Sequence, residues 1–373
     1  MRILIVGGGL QGLSCGCSLY KEQELSIVTS SLMCQKSHFF KKVYTDVHAN
    51  DESLYGLLEK EHFDVLIPVT DVTVPFISKN KDEIERRFGV KCAVPDYEKI
   101  YKVEDKSRFM AFCELNGIPH PKTMVLSNDN LDVVASHIGF PALIKPDYSV
   151  GARGITRVNT IEELPEFYLS VSQKYGSCTL QEFIDNKEYY YNVMLYRNKE
   201  GKILGSAIIK IVRMFPVGAG SSSCCISVEN EELIKICSDC LDKLKWVGMA
   251  DFDVLQRLDN GEYKIIEINP RVPASLRGAA MSGVNFPEII VNDTMGLNVP
   301  AYDYISGKTL RYMGIDIMWW LKSSNRFHAH PGWLRLFGKD IYYQDIYKQD
   351  PSTWWTWLAE GLTKITERNK RLR

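Results

Sequence analysis

Apolar positions in this chain fall first into short runs and only later into helical spacing. Arg2–Val6 is an apolar, β-branched run, the pattern of a strand covered on both faces. Gly7, Gly9 and Gly12 follow at G-x-G-x-x-G spacing, and residues 10–20 read as a helix. Further apolar runs at 25–28 and 65–69, with helical stretches such as 54–60 between them, predict a parallel, doubly wound sheet. Beyond residue 120 the pattern changes. Ala142–Pro146 is an apolar strand ending in one cation, Lys145, and a second strand leads into Glu182, Phe183 and Ile184. Residues 251–255 alternate, Asp259-Asn260-Gly261 is a turn signal, and residues 262–269 return as the partner strand of a hairpin.

The length of 373 residues predicts at least two packed units or one large unit with appendages, and 45% apolar with 24% charged residues excludes general disorder. The formal net charge is -1, so no global field draws the chain to nucleic acid or anionic lipid, and no nucleic-acid partner is expected. The ten cysteines show no zinc-site spacing and read as reduced, mostly buried thiols. The opening apolar stretch is too short for a signal peptide, and no run approaches the roughly 20 apolar residues of a spanning helix. A cytoplasmic location is expected.

The glycine turn suggests a dinucleotide site, but the ribose-binding acid due about 20 residues later is replaced by Thr29-Ser30-Ser31. NAD is therefore disfavoured, NADP stays open, and glycines that merely allow close strand–helix packing are an equal alternative. Lys145 precedes a loop with Ser149, Gly151, Arg153 and Gly154, which can lay N–H groups along a polyphosphate or simply close a hairpin. Glu182, with the backbone at Phe183 and Ile184, could read an adenine, and Glu188 a ribose; two solvated glutamates on a surface hairpin are the alternative. The hairpin is the most specific feature. Pairing Asp253 with Glu267 puts two carboxylates and the Asn269 amide on one surface, hard oxygen ligands suited to magnesium, with Asp251 as the fallback ligand. Arg271 follows at once. Arg213, Ser275 and Arg277 are placed to meet an acceptor, or are surface cations and turn residues.

The segments around Leu143-Ile144-Lys145-Pro146, Gln181-Glu182-Phe183-Ile184 and Glu267-Ile268-Asn269-Pro270-Arg271 resemble the ATP-grasp superfamily, over roughly residues 1–300. The resemblance implies an α/β and α+β chain: a Rossmann-like pre-ATP-grasp domain over 1–105, an ATP-grasp domain over 106–300 with a lid subdomain at about 120–185, and an aromatic C-terminal extension over 301–373. It implies ATP and magnesium, two ions expected, as cofactors. Lys106 and Lys145 would contact the phosphates, residues 149–154 would cover them, and Asp253, Glu267 and Asn269 would bind metal. Arg271 would steady the transferred phosphoryl group. The implied reaction joins a small-molecule carboxylate to an amine, with a carbamoyl-phosphate-synthetase-like reaction and an NAD(P) oxidoreductase as rivals and a homodimer as a possible assembly.

Six of the seven tryptophans lie between Trp319 and Trp357. Trp354, Trp357, Leu358, Leu362 and Ile365 at helical spacing predict an amphipathic helix with a basic end. Such a stripe packs on a protein body more often than on a membrane interface, and packing is the expectation here.

Overall fold

The computed structural model describes residues 1–48, 52–148, 153–186, 189–217, 220–356 and 359. Its first sheet contains β1 (Arg2–Val6), β2 (Glu24–Val28), β3 (Lys42–Tyr44), β4 (Val65–Pro68) and β5 (Lys91–Cys92), all parallel, in the order β3-β2-β1-β4-β5. Strand alternation sends Ile3 and Ile5 to one face, against Leu10 and Leu13 of the helix Gly9–Leu19. Leu4 and Val6 go to the other, with Leu54, Leu58 and Ile77. The strand order reverses between β1 and β4. The turns that follow these two strands therefore flank a crevice, the usual ligand position in an open parallel sheet. The glycine turn is tight for steric reasons: a Cβ on Gly8 would lie 1.9 Å from Thr29 Oγ1, and Gly7 has φ +111°.

The second sheet holds β6 (Thr123–Val125), β7 (Ala142–Pro146), β8 (Thr156–Val158) and β9 (Cys178–Glu182), antiparallel, in the order β6-β9-β7-β8. The helices Leu131–Ile138 and Leu164–Tyr175 cover it, and Val134, Ile138, Ala142, Ile144, Leu164 and Leu180 close a core of its own.

The third sheet has seven strands: β10 (Tyr190–Arg197), β11 (Ile203–Phe215), β12 (Ser221–Val228), β13 (Gly248–Gln256), β14 (Tyr263–Asn269), β15 (Thr309–Arg311) and β16 (Ile341–Tyr343), in the order β14-β13-β10-β11-β12-β15-β16. On one face Val193, Leu195, Phe252 and Ile265 pack against Leu233, Leu241 and Trp246. On the other, Met194, Ile209 and Ile211 belong to the same core as Ile3, Leu10 and Leu13 of the first sheet. Within the expected C-terminal extension, β15 and β16 extend this sheet at one edge and the helix Met313–Lys322 packs on β11 and β12. The expected tail helix falls largely outside the described residues. All ten cysteines are free and nine are buried, in line with the expected reduced thiols. Among the described residues no helix is long and apolar enough to cross a membrane.

Candidate active site

The hairpin forms in the register its alternation predicts. Asp253 pairs with Glu267 and Asp251 with Asn269, with an irregularity just after Asp253. On the other side of β13, Asn192 of β10 is the partner of Asp253, so Asn192, Asp253 and Glu267 form one cross-strand row. Asn192 Nδ2 donates to Asp253 Oδ1, and Ser275 Oγ donates to Asn192 Oδ1 at 3.1 Å. Asn269 Nδ2 donates to Asp251 Oδ2 at 3.3 Å, while the buried Oδ1 of Asp251 has no hydrogen-bond partner. Burial, then the neighbouring Glu267, push the Asp253 carboxyl up to about 7. Burial and Asp253 hold Asp251 well above the carboxylate range. These acids are short of positive charge.

Two cations face them. Lys145, on β7 of the second sheet, is only 8% exposed; burial pulls its ammonium down to about 8, while Glu267 and Asp253 pull the other way. Arg271 clamps Asp71, in the turn after β4, through both nitrogens of its fork, with Nη2 to Oδ2 at 3.1 Å, and Nη2 also donates to Asn269 Oδ1 at 3.3 Å. The crevice of the first sheet is thereby tied to the acidic hairpin of the third. Tyr190, two residues before Asn192 on the same face of β10, is held far above its usual value by burial and then by Asp253 and Asp251.

The remaining expected residues divide into three groups. Lys106 opens the helix Lys106–Leu115, whose N-cap Asp105 accepts from Arg108 N at 2.9 Å. Its N–H reaches Asp147 O at 3.4 Å, beside the end of β7, and its charge contributes to the lowering of Lys145. Gly154 has φ +76°, and a Cβ there would meet Tyr175 at 2.7 Å and Pro146 at 2.8 Å; Arg153 is exposed. Ser149, Gly151 and Glu188 lie outside the described residues. Glu182 is already engaged: Arg257 Nη1 pairs with its Oε1, and Lys122 N donates to its Oε2 at 3.2 Å. Phe183 N donates to Pro141 O at 3.3 Å, its ring lies under Arg157, and Ile184 is buried.

The expected acceptor residues have partners within the protein. Arg213 is 2% exposed and forks Asp316 at 2.9 and 3.1 Å. Arg277 donates to the carbonyls of Tyr343 and Ile346 and stacks on Tyr347 at 3.5 Å. Both cations hold the C-terminal segment in place, and Ser275 positions Asn192. The residues that sequence reasoning missed are Asn192, Tyr190 and Asp71. A polar Asn ending the run Tyr189-Tyr190-Tyr191 in a buried strand was a signal for the first two; Asp71 carried none.

Among the described residues there is no cluster of three or more His, Cys, Asp or Glu able to hold a metal ion. Asp253, Glu267 and Asn269 are instead two carboxylates and an amide oxygen, an open donor set for a hard cation that brings phosphate oxygens of its own. The unpartnered Asp251 oxygen and the raised Asp253 carboxyl fit such a cation.

A family model described as "ATP-grasp domain" matches residues 103–275. The D-aspartate ligase of Enterococcus faecium is 26% identical over 277 residues, 67% of this chain and 64% of that protein. The C-terminal section of the carbamoyl phosphate synthase large chain of Methanopyrus kandleri is 25% identical over 239 residues, 58% of this chain and 43% of that protein. The chain thus spans less than two thirds of the length of these curated relatives. Among solved structures, Campylobacter jejuni biotin carboxylase gives a TM-score of 0.68 at 17% identity, covering 81% of this chain and 73% of that one. Staphylococcus aureus N5-carboxyaminoimidazole synthetase gives 0.69 at 15% identity, covering 88% and 86%. At these identities the structures speak for the fold alone. The acidic hairpin and the Lys145 strand both lie within residues 103–275, the segment that matches an ATP-grasp domain.

Proposed function

We propose that the chain is an ATP-dependent ligase that converts a carboxylate to an acyl phosphate and couples it to an amine, releasing ADP and phosphate. The observation that carries this reading is the row Asn192–Asp253–Glu267 facing Lys145, with Arg271 at its end: unmatched acids beside buried cations, and no nucleophile–base pair in the arrangement. Such a site positions phosphates and neutralises charge, which is most of what phosphoryl transfer asks of a protein. ATP would lie between the second and third sheets. Lys145 and Lys106 would hold its phosphates, and Ile184 would wall the base. The Glu182 carboxylate would reach the base only by leaving Arg257. Magnesium, held by Asp253, Glu267 and Asn269, would neutralise the phosphate oxygens. Arg271, oriented by Asp71, would stabilise charge on the transferred group and the acyl phosphate. The acceptor would enter from the crevice between the turns after β1 and β4, since Asp71 brings that crevice to Arg271. We place the activity in the cytoplasm.

A second reading, activation of bicarbonate, is favoured by the match to carbamoyl phosphate synthase. Phosphate release with ATP, magnesium and panels of amino acids, small carboxylates or bicarbonate, followed by mass spectrometry of the product, separates the two. Stabilisation against heat by NADPH and not by ATP with magnesium would overturn both.

A further inference from the structure

The loop joining the helix Met313–Lys322 to β16 is pinned from beneath and uncovered above. Arg213 Nη1 donates to Pro331 O at 2.8 Å, and Arg311 Nη1 donates to Trp333 O at 3.0 Å and Arg335 O at 3.1 Å. Trp333 Nε1 donates to Asp316 O at 3.1 Å, its ring lies 5.1 Å from that of Trp320, and Tyr343 Oη donates to Leu336 O. Both arginines are anchored in turn on the buried Asp316. A loop held this way cannot fold its apolar side chains inward. Phe327 and Leu334 remain 74% exposed and Phe337 86%.

Along residues 317–339 the charged side chains have one sign, and Asp340 at the end of the loop is taken up by Arg335. Residues 317–339 contain Lys322, Arg326, Arg335 and Lys339 and no Asp or Glu. Arg335 is paired with Asp340 at 2.8 Å; Lys322 and Lys339 are exposed, and Arg326 lies over the rings of Trp320 and Phe327. Fixed aromatic and aliphatic tips ringed by cations fit one kind of surface. A second copy of the chain docked here about a two-fold axis would set these cations against their own copies, with no acid in the segment to relieve the repulsion. An anionic bilayer surface neutralises them and accepts the apolar tips at the headgroup boundary.

We propose that this loop docks the protein on an anionic phospholipid surface, with Phe327, Leu334 and Phe337 entering the headgroup layer and Lys322, Arg326 and Lys339 meeting the phosphates. The proposal is independent of the reaction catalysed.

Co-sedimentation of the full chain with phosphatidylglycerol–phosphatidylcholine vesicles, and with phosphatidylcholine vesicles alone, tests it. The anionic vesicles are expected to bind the chain about ten-fold more tightly, an advantage that shrinks as salt is added. Leu334→Ser with Phe337→Ser should weaken binding by about ten-fold or more, and Lys322→Gln with Lys339→Gln should do so on the anionic vesicles only. Because the four side chains are exposed, the melting temperature should not move; if the apolar pair unfolds the chain, the lysine pair decides. Absent binding, equal binding to both vesicles, or binding untouched by the lysine pair overturns the proposal. So does a dimer in analytical ultracentrifugation that Leu334→Ser with Phe337→Ser converts to monomer.

Discussion

Two clusters of charge are built into the seven-stranded sheet, and they are balanced in opposite ways. Around Asp316, two buried guanidiniums, Arg213 and Arg311, share one carboxylate that also accepts from Ser223 Oγ at 3.3 Å. Their surplus positive charge is spent on carbonyls at 331, 333 and 335. Around Asp253 the surplus is negative. Asp251, Asp253 and Glu267 crowd together, one oxygen of Asp251 is unpartnered, and Arg271 gives much of its fork to Asp71. In the first cluster folding pairs every charge, and even Arg311 Nη2, which makes no hydrogen bond, lies 2.6 Å from Asp316 Oδ2. The second is left open, and an open balance is what a ligand can close.

Glu267 is where the open cluster is most sensitive to substitution. In the proposed ligase assay, Glu267→Gln should lower phosphate release by at least about 10²-fold, without loss of metal-free stability, because an acid that repels Asp253 has been removed. A large loss of stability instead would make the hairpin acids structural. At the other cluster, Asp316→Ala should cost about 3–5 kcal/mol in urea unfolding, since it leaves two buried cations without their counter-ion. A change near zero would show that carbonyls alone suffice to hold both arginines.

The pH dependence sharpens the contrast. In the folded chain Asp253 titrates at about 7, above its ordinary 3.8. Its share of metal-free stability is therefore full below 3.8 and is lost as pH rises through about 7. Lys145 titrates at about 8 instead of 10.5, so the folded chain sheds that proton first and regains stability between those values. Urea unfolding in EDTA across this range should show the acid-side slope in the native chain and a flatter one in Asp253→Asn. The smallest effect is expected at Asp71, which is partly exposed. Asp71→Asn should cost about 1 kcal/mol or less of stability yet lower kcat about ten-fold by freeing the Arg271 fork. A stability loss without a rate loss would class Arg271 with Arg213.

The hairpin was legible because its information is local. Alternation over residues 251–255 and 262–269 around Asp259-Asn260-Gly261 fixes which side chains share a face, and the pairing of Asp253 with Glu267 follows. The parallel sheet at the N-terminus was legible for the same reason. Asp71 was not, since it lies 200 residues from Arg271 and no pattern within its own turn announces the contact. The partners of Arg213 and Arg277 were not legible, because a cation beside a small-residue loop looks the same whether it meets a substrate, an aspartate 103 residues away or the carbonyls of Tyr343 and Ile346. The cluster of tryptophans pointed to aromatic packing on the body of the protein, and part of it lies within the described residues. Trp319 and Trp333 lie over Arg213 and Arg311, and this packing builds the sheet edge.

The distribution of hydrophobic cores has a consequence for how the chain comes apart. The first and third sheets share one core, in which Leu10 and Leu13 lie with Ile209 and Phe286, whereas the second sheet keeps its own. Three sheets therefore amount to two cooperative units. Cutting the chain near residue 105 would uncover the side of the shared core where the helix Gly9–Leu19 meets residues 276–281 and 286–294, whereas the four-stranded unit keeps a core of its own and can melt on its own timescale. Calorimetry should resolve two transitions, and the boundaries drawn along the sequence should not coincide with those along which the molecule yields.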